Sequence, residues 1–385
     1  MPERGGSSEQ PAGAPAPDPA AGVEPESAPL RVVVTGATGN LGTSVLAALG
    51  EDPRIGSVLG LARRLPHRAP PKTEWAAADV GEDGSEDVLT GHFQGADAVV
   101  HLAWLLQPSR SPLTTWRTNV LGTVRVLRAA AAAGVATVVY SSSVAAYSPG
   151  PRHDTGRRVD ESWPTHGWPA AAYSREKAYN ERVLDVFARD HPGVRVVRMR
   201  PGFLFKRESA MEQRRLFAGP LLPNRLLRPG VLPVLPGVAG LRFQALHTDD
   251  AADAFRRAVT SPVSGAFNLA SEPPVDTAVL AGLLGARHPV RLPPAPLRAA
   301  LAAAWRLRLV PASPDLFDAL MHLPLLDSGR ARRELGWQPL RSGPEAVAEL
   351  LAGMREGAGG PTPPLASRLT GGRAAELATG AGSRP

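Results

Sequence analysis

Between Arg31 and Gly42 the chain reads Arg-Val-Val-Val-Thr-Gly-Ala-Thr-Gly-Asn-Leu-Gly. Few architectures accept that order. Three successive valines predict a short, fully buried strand of a parallel sheet. Glycines at 36, 39 and 42 then open an amphipathic helix, roughly Leu41 to Leu49. A strand that turns on glycine straight into a helix suits a dinucleotide. The first glycine permits the tight turn, the second lets the backbone approach a pyrophosphate, and the third allows close helix–strand packing. Free N–H groups and the dipole at the helix N-terminus favour the anion. The spacing here is G-x-x-G-x-x-G, not G-x-G-x-x-G, so the turn alone also fits a glycine-rich loop before an ordinary helix.

The rest of the chain supports the first reading. Apolar runs predict strands near Leu30–Thr35, Ser57–Ala62, Glu74–Ala78, Ala98–Leu102, Thr137–Ser142 and Val194–Arg198. Helical patterns fall between them, the clearest from about Pro112 to Ala133 and from about Pro169 to Asp190. Such alternation implies an α/β fold with a doubly wound parallel sheet, which binds ligands at the carboxyl ends of its strands. Residues 29–200 are expected to form this dinucleotide-binding unit, and 201–356 a smaller, mainly substrate-binding portion with closing elements. Residues 201–245 are rich in Pro, Leu and Arg without periodicity and read as substrate-facing loops. A helix near Asp249–Val259 and a strand near Ala266–Leu269 follow. Pro296–Val310 reads as an apolar, basic helix that packs on the core rather than on a membrane. Residues 1–28 and 357–385 read as Pro/Ala/Gly-rich disordered tails.

The 385 residues contain no cysteine, which excludes disulfides, thiolate nucleophiles and cysteine metal sites. None of the nine histidines falls in an H-E-x-x-H grouping, so no metal site is expected. No secretory leader and no apolar run of membrane length is found, which points to the cytoplasm. The net charge of +7 comes from scattered arginines without interleaved aromatics, so no nucleic-acid partner is expected.

Lysine is nearly absent. Of 43 Lys+Arg residues, only Lys72, Lys177 and Lys206 are lysines. Lys177 lies four residues after Tyr173 in Tyr173-Ser-Arg-Glu-Lys177, a spacing that stacks both side chains on one helix face. An ammonium beside a phenol makes tyrosine useful as a proton donor or acceptor. Bringing a tyrosine pKa from near 10 to about 7 takes roughly 4 kcal/mol. One cation at about 4 Å supplies roughly that at an effective dielectric of about 20.

Taken together, these residues resemble an extended short-chain dehydrogenase/reductase, the NAD-dependent epimerase/dehydratase family with its Rossmann-type fold, over about residues 30–350. Thr35-Gly36-Ala37-Thr38-Gly39-Asn40-Leu41-Gly42 is similar to the family's phosphate-binding turn. Asp79-Val80 resembles its pair after the third strand, where the Asp contacts adenine. His101-Leu102-Ala103 stands where the family has its motif after the fourth strand; His101 also reads as a packed core histidine, and no chemistry is assigned to it. Asn119 resembles the active-site helix asparagine, and Ser143 in Tyr140-Ser-Ser-Ser143 the catalytic serine. His247-Thr-Asp-Asp250 and Glu334-Leu-Gly-Trp337-Gln-Pro339 match further family signatures.

The resemblance implies hydride transfer between a nicotinamide cofactor and a carbonyl or secondary alcohol. Tyr173 would act as acid/base, Lys177 would also bind the nicotinamide ribose, Ser143 would hold the reacting oxygen, and Asn119 would hold a water or backbone group in the proton relay. The cofactor contacts implied are Gly36, Thr38, Gly39, Asn40, Leu41, Gly42, Asp79, Val80, Leu102, Ala103, Tyr173 and Lys177. The second strand ends in Ala62-Arg63-Arg64 with no acid, so Arg63 and Arg64 point to NADP over NAD. A nucleotide-sugar epimerase that keeps its cofactor, and a non-catalytic NADP-binding regulator, are the alternatives. Dehydratase chemistry is disfavoured, because Val144 and Ala145 stand where dehydratases carry an Asp-Glu pair. The family often forms homodimers through the two long helices. Arg200, Arg242 and His247 are candidates to face the substrate, though Arg200 also reads as a structural cation.

Overall fold

The computed structural model describes residues 28–108, 110–151, 156–219 and 223–368, together with residues 1, 2 and 5. Seven parallel strands form its centre: β1 Leu30–Thr35, β2 Ile55–Ala62, β3 Thr73–Ala77, β4 Ala98–His101, β5 Thr137–Ser141, β6 Arg195–Pro201 and β7 Gly265–Leu269. Their order across the sheet is β7-β6-β5-β4-β1-β2-β3. The order reverses between β1 and β4, where Thr35 sits opposite His101. Doubly wound sheets bind their ligands at such a switch point.

The three valines show how the sheet is covered. Val32 and Val34 enter one layer of the core and Val33 the other, because alternate strand residues point to opposite faces. The first layer is closed by α1 (Asn40–Glu51) packed on a later helix, Thr248–Thr260, through Val45, Leu46, Leu49, Ala251 and Phe255. The second is closed by α2 (Ser85–Phe93), α3 and α4 (Ala172–Asp190), through Leu89, Phe93, Val126, Leu127 and Leu184. Helix α3 runs continuously through Pro112–Trp116, a π-helical turn at Arg117–Leu121, and Gly122–Ala132. Each fully buried Val or Leu contributes roughly 1.5–3 kcal/mol, and these layers hold dozens of such groups.

The C-terminal half departs from the sequence reading in three places. Residues 201–245 fold as short pieces. Phe203–Phe205 pairs with Ala245–His247, and Val234–Val238 with His288–Leu292. Strands this short leave no periodic trace. The apolar helix, Pro294–Arg306, buries none of its residues; it lies on the helix Pro314–His322, with Arg298 bonded to Asp318. The expected C-terminal tail is seated against the body as far as Arg368, with Thr362 and Leu365 buried. Residues 369–385, and nearly all of the N-terminal tail, lie outside the described residues.

Arg200 resolves as a structural cation. Its Nε and Nη2 donate to the two oxygens of Glu181 at 2.9 Å each, and its Nη1 donates to the Tyr147 hydroxyl at 2.8 Å. Ser142 also donates to Glu181, and Tyr147 passes its own hydrogen to Asn268. Burial pushes the Glu181 carboxyl up, but the Arg200 bonds and charge bring it below its ordinary value. The network ties α4 to β6, β7 and the segment after β5. Replacing Arg200 with Met removes two charge-assisted bonds from a buried carboxylate and leaves it Arg198 and Ser142, so the unfolding free energy in urea is expected to fall by about 3 kcal/mol. Arg189→Met, at an exposed pair with Asp190, should leave it unchanged.

Candidate active site

The glycine turn explains itself by contact. A Cβ on Gly36, whose φ is +68°, would meet the Ala103 backbone nitrogen at 2.6 Å. A Cβ on Gly42 would meet the Gly36 carbonyl oxygen at 2.4 Å. Backbone therefore demands glycine at both positions. Gly39 differs: its added Cβ would meet only the Gly36 oxygen, at 3.4 Å. Gly39 is also the N-cap of α1, where no side chain bonds the cap and no acid stands in the first turn. The residue facing outward from the helix N-terminus is thus the glycine that internal packing does not require. The Gly39 N–H itself donates to the Gly36 carbonyl at 3.1 Å, so the arrangement fits an anion that passes close to Gly39 and rests on the N–H groups of Asn40 and Leu41. The Asn40 side chain is turned away, bonded to the Leu204 carbonyl and the Thr248 hydroxyl.

Several groups close around this turn. Lys206 is buried one helical turn into α1, and its Nζ donates to Thr43 Oγ1 and Ser44 Oγ at 2.8 Å. Thr362 donates its hydroxyl to the Thr38 carbonyl at 2.7 Å. The segment around it is held by Arg215, whose Nη2 and Nη1 donate to the Pro364 and Ala366 carbonyls. At the ends of β2 and β3, Arg63 lies 3.9 Å from Asp79, and Asp79 accepts the Gly81 N–H. Val80 is buried against Gly122 of α3, and Arg64 stands exposed.

Leu102 and Ala103 connect the turn to the chemistry. Both N–H groups donate to the Thr35 hydroxyl, and Ala103 touches Gly36. The next residue, Trp104, meets Tyr173 edge-on at 5.6 Å between ring centroids. Lys177 Nζ sits 3.5 Å from the centre of the Trp104 ring. It donates to the Ser141 carbonyl, at the end of β5, at 2.7 Å, and lies 5.9 Å from the Tyr173 ring centre. Ser143 Oγ accepts the Ala145 N–H at 3.1 Å, and its hydroxyl hydrogen-bonds Tyr173. The sequence-derived trio of Ser143, Tyr173 and Lys177 thus meets at the carboxyl end of the sheet.

The Asn119 side chain holds a backbone group, the main chain of Leu105. Asn119 lies in the π-helical turn of α3, fully buried. Its side chain accepts the Leu105 N–H at 2.7 Å, donates to the Leu105 carbonyl at 2.8 Å, and donates to Glu176 Oε2 at 2.6 Å. It therefore clamps the loop after β4. Its main-chain carbonyl accepts from Asn180. His101 is a packed core residue, bonded to Thr35 and Thr123 and pushed down to about 3 by burial and by Lys177. His247 does not face the substrate: it is buried and caps the helix that follows it, accepting the Asp249 N–H. Trp337, in the late signature, donates to the Asp250 carbonyl and secures that same helix.

The electrostatics run against the simplest reading of the Tyr/Lys pair. Burial pushes the Tyr173 phenol above its ordinary value, and the Ser143 bond only partly offsets it. Burial also pulls Lys177 from 10.5 down to about 7, against the pull of Glu176 and Glu181. A Coulomb estimate between two charges omits this desolvation. Trp104, Glu176, Lys206 and Thr362 are site residues that sequence reasoning missed. Trp104 directly follows the His101-Leu102-Ala103 motif, and Glu176 lies inside the Tyr173–Lys177 stretch, so position alone could have flagged both.

A doubly wound sheet with this turn and this pair defines a nicotinamide-dependent class of enzyme. The model of the family described as NAD dependent epimerase/dehydratase matches residues 32–270. The chain belongs to that family. An uncharacterized protein of Mycobacterium tuberculosis is 27% identical over 329 residues, 85% of this chain but 30% of its own length; the chain thus spans about a third of those first relatives. The L-arabinose 1-dehydrogenase (NAD(P)(+)) of Haloferax volcanii is 29% identical over 192 residues, 48% of this chain and 70% of that protein. The UDP-glucose 4-epimerase of Thermotoga maritima superposes with a TM-score of 0.63 at 19% identity, covering 85% of this chain and 99% of that one. That likeness shows the fold. No helix among the described residues is long and apolar enough to cross a membrane.

The buried Lys177 is a stability cost. Its amine carries a proton less readily in the folded state, so the folded state is penalised most at and below pH 7, and the penalty fades as pH rises from 7 to 10.5. Lys177→Met is expected to raise the urea midpoint at pH 7, with the gain shrinking toward pH 10.5. A variant less stable than the parent at pH 7 contradicts this.

Proposed function

We propose that this chain is an NAD(P)-dependent oxidoreductase that interconverts a carbonyl and a secondary alcohol, with Tyr173 as the acid/base. The observation that carries this reading is the unbroken chain of contacts from Gly36 through Ala103 and Trp104 to Tyr173 and Lys177. It sets a phenol and an amine beside an anion-ready helix end. When bound, the dinucleotide accepts or supplies the hydride and, in its oxidised form, adds positive charge near Tyr173.

The residues would divide the work as follows. Gly39 lets the pyrophosphate approach the main chain, and Asn40 and Leu41 present backbone N–H groups to it, with Lys206 adding charge behind them. Asp79 and Val80 border the adenine, and Arg63 and Arg64 the 2′-phosphate of NADP. In alcohol oxidation Tyr173 takes the hydroxyl proton as hydride leaves the adjacent carbon; in carbonyl reduction it returns that proton. Ser143 donates to the substrate oxygen and steadies its developing charge. Lys177 stabilises the phenolate and would bind the nicotinamide ribose. Asn119 acts as a positioning residue through Leu105. Leu113, Leu121, Tyr179 and Val186 stand exposed on α3 and α4, which supports pairing of two copies through these helices.

Tyr173→Phe is expected to lower turnover by at least about 100-fold while leaving NADPH affinity intact; near-normal turnover would end the proposal. Direct titration should give a lower dissociation constant for NADPH than for NADH. The double variant Arg63→Ala, Arg64→Ala should narrow that gap, and a tighter grip on NADH in the parent protein contradicts the NADP preference.

A further inference from the structure

After the helix Gly343–Glu356 the chain folds into a small closed loop, residues 358–367, that docks on the dinucleotide turn. The helix ends on Gly357, whose φ is +69°, and the Ala358 N–H returns to the Gly353 carbonyl at 2.8 Å. The loop then closes on itself. The Gly360 N–H donates to the Leu365 carbonyl at 2.7 Å, and the Leu365 N–H to the Thr362 carbonyl at 3.0 Å. Its two limbs lie against each other, since a Cβ on Gly359 would run into the Ser367 backbone nitrogen. Pro361, Pro363 and Pro364 stiffen the tip by fixing their own φ. Leu365 is buried, the Met211 N–H donates to the Ala358 carbonyl, and Arg215 donates to the Pro364 and Ala366 carbonyls. So anchored, the loop extends the Thr362 hydroxyl to the turn.

The bond it makes there controls one peptide plane. The Thr38 carbonyl and the Gly39 N–H belong to the same planar unit. Its N–H end donates to the Gly36 carbonyl at 3.1 Å, and its carbonyl end accepts from Thr362 at 2.7 Å. Both partners of the second bond are buried, although they stand 324 residues apart in sequence. Gly39 follows with φ −76° and ψ 179° and leads into the N–H groups of Asn40 and Leu41. No side chain caps this helix end, so the plane ahead of it sets the entry of the chain into α1. Glycine reaches φ of either sign at little cost, so the residue that admits an anion also lets this peptide turn over. Thr362 opposes that rotation from outside the turn.

We infer that the loop 358–367 completes the dinucleotide site, with Thr362 as a positioning residue that holds the Thr38–Gly39 peptide in its anion-binding orientation and slows release of the cofactor. The inference rests on the reading that a nicotinamide dinucleotide binds at this turn. It takes no part in the Tyr173 chemistry.

NADPH fluorescence on the full chain tests it, by equilibrium titration and by stopped-flow displacement with excess NADP⁺. Thr362→Val keeps the side-chain shape and removes the donor; Thr362→Ser returns the donor. The Val variant is expected to bind NADPH about fivefold more weakly, the value of one hydrogen bond between neutral groups. The loss should lie in faster release, with the association rate little changed. ADP-ribose, which carries the pyrophosphate without the nicotinamide, should lose affinity by the same factor, and Thr362→Ser should restore both ligands. If the Val variant does not fold, Arg215→Met, which frees the loop from behind, should speed NADPH release likewise, and unchanged release there overturns the inference. Parent-like NADPH binding by Thr362→Val, or a loss that Ser does not restore, also overturns it. So does tighter binding by the Val variant, which would make the loop an obstruction to the cofactor. A parent protein that binds neither NADPH nor NADH overturns this inference and the reading beneath it together. Normal turnover by Tyr173→Phe removes the role of the tyrosine and leaves that of the loop standing.

Discussion

Lys177 is buried with its ammonium nitrogen on one carbonyl and one indole face, and much of the fold is arranged to hold it there. Strand β5 supplies the carbonyl, the loop after β4 supplies Trp104, and α4 supplies the residue itself. Each of those elements is fastened by a separate buried network. Glu181 and Arg200 lock α4 to β6, and Asn119 locks the loop after β4 to α3 and to Glu176. A cation with so little solvent is destabilising by itself. The surrounding apolar layers offset that cost.

The same economy governs the dinucleotide turn. Backbone contacts of Gly36 with Ala103, and of Gly42 with Gly36, seat α1 against β1 and the loop after β4 in one step. Any side chain at either glycine would separate the helix end from Tyr173 and Lys177. The glycine turn and the Tyr173–Lys177 pair are thereby coupled through a few atoms of main chain.

Much of this was legible in the sequence. Strand β1 falls on its expected bounds and β2 to β6 within three residues of theirs; β4 and β5 are buried almost throughout and read as apolar runs, while β3, at the sheet edge, is largely half-exposed and mixed in sequence. Ser143, Tyr173 and Lys177 were legible through spacing, since one helical turn and one strand end suffice to bring them together. What failed to show depended on desolvation or on distant chain. The direction of the Tyr173 shift follows from burial, which two letters in a sequence do not report. His247 read as a ligand-facing polar residue, yet it is a helix cap, while Arg200, which read either as ligand-facing or as a structural cation, is half of a buried pair. The segment around Thr362 has the composition of a tail; a single hydroxyl to Thr38 and the two bonds from Arg215 seat it. The helix Pro294–Arg306 has an apolar face, but its fixed contacts are to Arg110 and Asp318 rather than to the core.

The central claim is that the Lys177 charge, with an oxidised nicotinamide bound, makes the Tyr173 phenol acidic enough to trade protons near neutral pH. With only Tyr140, Tyr147, Tyr173 and Tyr179 in the chain, carbon-13 labelling of tyrosine gives a spectrum in which each ring can be titrated separately. In the free protein Tyr173 should titrate above its ordinary value. On addition of NADP⁺ it should fall below that value in the parent protein and stay high in Lys177→Met. A Tyr173 resonance that keeps its elevated pKa in the complex, or that falls equally without the lysine, contradicts the account.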